Sequence, residues 1–240
     1  MESEIVMEML RTLTLGVTAG TLFGALLATL PIKLGSRLIL GAVIGGWITI
    51  VVALAGAGVV NKEPFALPVL FALPLLAASI GATIPAFRSA VLAIPMPLIV
   101  ALNGMRVLGV FMLLDGIACR MNGPFPYAAG IGDIITGVFA LPVARLAAKN
   151  PRDVRVWEWN VFGAIDLVVA VTLGVMSSNG SPIQFIHAGV GSSAMTTLPW
   201  ALIPLVLVPA YLIGHAIVFA QLRSAAPDYV RYVNYAENQY

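Results

Sequence analysis

Several polar side chains lie inside long apolar stretches: Asn103, Arg106, Asp115, Asp133, Glu158, Asn160, Asp166 and His215. A charge at bilayer depth costs about 2.5–3.5 kcal/mol on insertion scales, so such groups face the interior of a bundle and are paired. Arg106 keeps its charge at any working pH and requires an acid partner. Asp133 or Asp166 supplies one. The acid left without a cation is free to take up and release a proton. His215 carries an imidazole, which titrates near neutrality and suits an inner relay. Asn103 and Asn160 extend the polar set, and Asp115 stands near a helix end where water can reach it. Two readings remain open. The set is either a binding or proton-carrying path, or a static network that ties helices together.

The elements that position these residues follow from composition. The chain has 240 residues, 60% hydrophobic and 10% charged, with a mean hydropathy of +0.97. Soluble domains carry about 25% charged residues, enough to cover a core. This chain has too few, so lipid replaces water as its outer solvent. A spanning helix needs about 20 apolar residues. Cutting the apolar windows at Gly, Pro and charge gives spans at about 10–30, 38–60, 65–87, 95–118, 127–147, 157–177 and 198–222. The expected fold is an all-α integral membrane protein, a bundle of about seven transmembrane helices. It forms one transmembrane domain over residues 1–240, ending in a short cytosolic tail at 223–240. Pro85, Pro95 and Pro97 around Arg88 favour a short interfacial helix before the fourth span. Pro68, Pro74, Pro204 and Pro209 mark the third and seventh spans as irregular.

Basic residues set the expected orientation. Lys33, Arg37, Arg88, Arg145, Lys149, Arg152, Arg155, Arg223 and Arg231 fall on one face, and Arg11, Lys62 and Arg120 on the other. The bias puts the N-terminus outside and the C-terminus in the cytosol. Asp115 and Asp133 then lie in the outer third, Arg106 and Asp166 near the midplane, and Asn160 and His215 toward the cytosol. Tyr229, Tyr232, Tyr235 and Tyr240 read as interfacial anchors in the tail. Glu2, Glu4 and Glu8 precede a first apolar segment without a basic start, which reads as a retained helix.

Small residues suggest contacts. Gly16, Gly20, Gly24 and Ala28 make a stripe on the first span, and Gly41 and Gly45 one on the second. Such stripes pack helices inside a chain, or dock a homo-oligomer or a membrane-complex partner. Gly130-Ile131-Gly132-Asp133 is echoed by Gly163-Ala164-Ile165-Asp166, which places one acid in each of two neighbouring helices. The loop at 178–197, rich in Ser and Gly around Phe185-Ile186, reads as a solvated loop or as a lid over a pocket.

Other chemistries find little support. No span contains lysine, which excludes a retinal Schiff base. There is no Walker loop, dinucleotide fingerprint or HExxH motif. The two histidines, His187 and His215, cannot form a paired-haem site, although one axial His215 suits a single tetrapyrrole. Cys119, Met121 and His187 are soft-metal ligand types without regular spacing, so no metal site is assigned. The basic residues form no patch with interleaved aromatics, so nucleic acid is excluded as a partner. The lipid bilayer is the expected one.

Four stretches together resemble a known group: Arg106-Val107-Leu108-Gly109, Ala129-Gly130-Ile131-Gly132-Asp133, Trp159-Asn160 through Leu167, and Leu198-Pro199 through His215. Over about residues 100–222 the chain is similar to bacterial multipass inner-membrane proteins with no assigned activity. The resemblance implies a bacterial inner-membrane setting and no particular function. The leading expectation is transport or conduction of a proton, ion or small solute. Its site is Asn103, Arg106, Asp115, Asp133, Asn160, Asp166 and His215, with Arg106 as counter-charge or anion clamp. The alternatives are a redox or photosynthetic subunit that binds a tetrapyrrole or quinone through His215, and an accessory or scaffold subunit. No catalytic residue is assigned.

Overall fold

The computed structural model describes residues 2–224. Its helices are α1 (Glu2–Thr29), α2 (Leu34–Gly56), α3 (Val59–Lys62), α4 (Ala66–Gly81), α5 (Pro85–Leu92), α6 (Met96–Leu102), α7 (Val110–Ile117), α8 (Phe125–Lys149), α9 (Val154–Ser177) and α10 (Val208–Ser224). A 3₁₀ stretch, Asn103–Gly109, joins α6 to α7 as one span, and a π-helical stretch, Ile203–Leu207, leads into α10. No strand occurs among the described residues. The tail residues Tyr229, Arg231, Tyr232, Tyr235 and Tyr240 lie outside them.

Six helices are long and apolar enough to cross a membrane, or seven if the bent pair of α4 and α5 counts as one span. Large apolar residues such as Leu38, Ile117, Phe139 and Ile165 face outward, as they do where hydrocarbon is the solvent. The third span, expected at about 65–87 and irregular, is a bent pair of helices. The helix ends at Gly81, and α5 leaves at 104° to α4. The cause is Pro85. It starts the new helix and forces Ile84 into an extended conformation (φ −86°, ψ 113°). Phe87 folds back over Gly81, where a Cβ would come within 2.8 Å of its ring.

Two further irregularities shape the interior. Pro209 has no N–H to give the carbonyl of Leu205, four residues before it. Trp47 of α2 supplies the donor through its indole Nε1, at 3.1 Å. In the middle of the α6–α7 span, the Asn103 side chain donates to the carbonyl of Ile99 at 3.0 Å as the backbone tightens to 3₁₀. That stretch presses against α8. A Cβ at Gly137 would stand 2.6 Å from the amide N of Val107, and one at Gly109 would stand 2.9 Å from the carbonyl of Gly130. Glycine is required here because backbone meets backbone.

The glycines of the first two spans behave differently. A Cβ at Gly16, Gly20, Gly24 or Gly45 would meet nothing within 4 Å, and one at Gly41 would touch only Leu27 at 3.6 Å. The buried face of α1 is instead Arg11, Leu15, Thr18, Ala19 and Leu22. The expectation that these stripes pack helices within the chain is therefore corrected. Close packing is made by Gly109, Gly130 and Gly137.

Candidate functional site

Arg106 sits in the 3₁₀ stretch, 3% exposed. The tighter winding brings its guanidinium to the junction of α8, α9 and α10. Its Nε donates to Asp133 Oδ1 at 2.7 Å, and its Nη2 is paired with Asp166 Oδ2. Its Nη1 faces three acceptors: the Gly163 carbonyl at 3.2 Å, His215 Nε2 at 3.2 Å and Asn103 Oδ1 at 3.5 Å. The Tyr211 ring lies 5.7 Å from the guanidinium carbon. Four of the five N–H donors thus point at protein groups. The local charge is one cation against two carboxylates.

His215 is 2% exposed. Because Arg106 can only donate, Nε2 must accept, so the imidazole proton sits on Nδ1 and is given to Asn160 Oδ1 at 2.8 Å. Asn160 completes the pair by donating from Nδ2 to the His215 carbonyl at 3.1 Å. Trp159 covers the ring at a centroid distance of 5.5 Å. Both ring nitrogens are therefore engaged by the protein.

Two glycines make room for this arrangement. A Cβ on Gly132 would fall 1.6 Å from Asp166 Oδ1, and one on Gly163 would fall 2.6 Å from His215 Cε1. The echo of Gly-Ile-Gly-Asp in Gly-Ala-Ile-Asp reflects this exchange. Each helix contributes an acid to Arg106 and a bare backbone surface to its neighbour's side chain.

The structure brings Asn103, Arg106, Asp133, Asn160, Asp166 and His215 into one network. Asp115 belongs elsewhere. It is 1% exposed, and its Oδ1 accepts from Arg120 Nε at 2.8 Å and pairs with Arg11 Nη2. The reading of Asp115 as a solvated helix-end residue is corrected. Arg11 lies 8% exposed in α1, with its guanidinium 5.3 Å from the Trp200 ring. Glu158 is exposed and joins neither cluster. A cavity of about 40 Å³ separates the clusters, lined by Arg11, Thr18, Arg106, Asp133, Trp200 and Tyr211 among others.

A second cavity, of about 600 Å³, also reaches Asp133. Its walls are mostly apolar, with Phe65, Phe71, Met112, Phe125, Leu167 and Met195 among them. Its other end is polar, with Asn61, Lys62, Glu63, Asn179 and Ser181. Asp133 stands on its lining and Arg106 does not. The loop after α9 contributes residues 178–183 to this lining. It is held against the helix end by Phe185 and Ile186 amides that donate to the Met176 carbonyl at 3.0 and 2.9 Å.

Residues 64–223 match the family described as a domain of unknown function, DUF8737. No curated protein and no solved structure matches the chain. The match takes in every member of the Arg106 network, and Asp115 and Arg120, but not Arg11. It begins ahead of α4, so the third expected span contributes to the family likeness, which reaches further toward the N-terminus than the expected 100–222. Because the match covers two thirds of the chain, this protein belongs to the DUF8737 family.

Proposed function

We propose that this protein is a multipass membrane transporter that moves a small solute together with a proton through the site formed by Arg106, Asp133 and Asp166. The observation that carries the reading is the 600 Å³ cavity with Asp133 in its lining, a carboxylate paired with a buried arginine. A scaffold needs its charges satisfied and has no use for a large cavity that leads to them. A cavity of this size falls within the range of about 300–1,000 Å³ typical of small-molecule sites. One guanidinium shared by two carboxylates leaves a formal charge of −1, which one proton neutralises.

The same reading includes seven spans and a bacterial inner membrane, with the basic ends of α2, α8, α9 and α10 toward the cytosol. Burial of Arg11 leaves Lys62 and Arg120 as the basic residues of the opposite end and sharpens that bias. The cavity mouth at Lys62 and Glu63 then faces outward. His215 serves as a positioning residue for Arg106. The tetrapyrrole alternative loses support, since an axial ligand needs a free ring nitrogen and both are engaged.

The test is charge movement in proteoliposomes on a solid-supported membrane after a pH jump. Wild type gives a transient current, and Asp166→Asn reduces it at least about tenfold while the purified variant stays monodisperse. A silent wild type, or undiminished current in Asp166→Asn, refutes the reading.

A further inference from the structure

The cavity and the charge cluster meet in a way that selects a ligand class. Asp133 touches Arg106 through Oδ1 alone. Its Oδ2 has no hydrogen-bond partner among the described residues, and the side chain is 16% exposed. Arg106 turns its donors away, toward Asp166, Gly163, Asn103 and His215. It is also absent from the cavity lining. A molecule entering from the Lys62–Glu63 end therefore passes between Phe65, Phe71, Phe125 and Met195 and reaches a carboxylate oxygen, not a guanidinium. At the mouth, Lys62 and Glu63 offset one another, so the charge that decides lies at the floor.

We propose that this cavity binds a compact apolar cation, a protonated amine on an aromatic or aliphatic body, with its N–H donated to Asp133 Oδ2. The class follows from three features taken together: apolar walls for the body, one free carboxylate oxygen for the head, and a net negative cluster behind it. At Asp133 a carboxylate ligand would meet a like charge, and the cation of the lining, Lys62, stands at the mouth beside Glu63. The proposal rests on the cavity being the solute site, and it names what that site takes.

The test is equilibrium binding of three tritiated probes with one ring: 2-(aminomethyl)naphthalene, 2-naphthylmethanol and 2-naphthoate. The full chain sits in nanodiscs, and empty nanodiscs supply the background. A hydrogen bond between charged groups in a desolvated site sets the expected preference for the amine over the carboxylate at about ten- to a hundredfold. Asp133→Asn, which still offers Arg106 an oxygen, brings the two within about threefold, and Asp133→Glu retains the preference. Val171→Trp fills the cavity without touching the charges and weakens all three probes. A wild type that binds the carboxylate as well as the amine overturns the cation class and leaves the cavity as a solute site. A wild type that binds none of the three above empty nanodiscs overturns both this proposal and the transport reading.

Discussion

Gly132→Ala tests whether Asp166 is held where the network requires it. The added methyl would sit 1.6 Å from Asp166 Oδ1 and 2.3 Å from its Cγ. No carboxylate can remain there, so Asp166 must turn away from Arg106. Removing one partner of a buried ion pair costs about 3–5 kcal/mol. Alanine returns about 1 kcal/mol through its higher helix propensity. The expected net loss is about 2–4 kcal/mol, read by reversible unfolding in mixed detergent micelles. Gly24→Ala is the control, because a Cβ at Gly24 meets nothing within 4 Å, and it should be neutral or slightly stabilising. The side chain displaced by the Gly132 methyl is Asp166 itself, so a double-mutant cycle isolates the cause. In an Asp166→Ala background the methyl has nothing to evict, and Gly132→Ala should cost less than about 1 kcal/mol. If Gly132→Ala is as harmless as Gly24→Ala, or if its full cost persists without Asp166, the account of the cluster is wrong.

Three other outcomes follow from the same structure. Arg11→Met should destabilise by several-fold more than Arg120→Met in the same unfolding assay. The first leaves a buried Asp115 with only an exposed partner, whereas the second removes an arginine side chain that is 45% exposed, and such pairs are worth about 0–1 kcal/mol. Asn160→Leu should cost about 1–3 kcal/mol, since it strips both the Nδ1 proton and the carbonyl of His215 of their partner in a buried site; a neutral result would remove His215 as a positioning residue. At the start of α9, hydrogen bonds from the Arg155 side chain and amide hold the Asp153 carboxyl down at about 2. Its folded value lies below the ordinary one near 3.8, so its contribution is complete above that value and fades as pH falls toward about 2. The difference in melting temperature between wild type and Asp153→Asn should stay constant from pH 8 to 5 and shrink below about pH 4.

Much of this architecture was legible in the residues. Hydropathy places the spans because nothing but an apolar helix survives in lipid without unsatisfied backbone groups. The same economy exposes the site, since an arginine and two aspartates among apolar residues must find one another. What escaped was local geometry and partner choice. Pro85, Pro95 and Pro97 signal a short helix before the fourth span, but hydropathy is continuous across Pro85 and carries no angle, so the 104° bend itself is not legible. Arg11 looked like a flank because the apolar window opens beside it, yet α1 begins at Glu2 and carries it inward. Spacing could not reveal that Asp115 answers Arg11 and not Arg106, because both arginines are compatible with its depth. Tyr211 and the Gly163 carbonyl carry no sequence signal of chemistry at all.

The glycines explain why composition is a poor guide to which helices touch. In lipid, apolar surface gains nothing by leaving its solvent, so a small residue draws helices together only where the opposite surface has something to offer. Gly16, Gly20 and Gly24 form the more regular stripe, yet they face open space inside this chain. Gly109, Gly130, Gly132, Gly137 and Gly163 are less regular, and they admit a 3₁₀ backbone, a carboxylate and an imidazole. Their spacing follows the shape of a polar cluster, not the pitch of a helix. In a membrane bundle with buried charge, irregular glycines beside an aspartate therefore locate the site better than a regular glycine stripe does. Substituting Gly132 or Gly163 should consequently impair charge movement, whereas substitution along the α1 stripe should leave it intact.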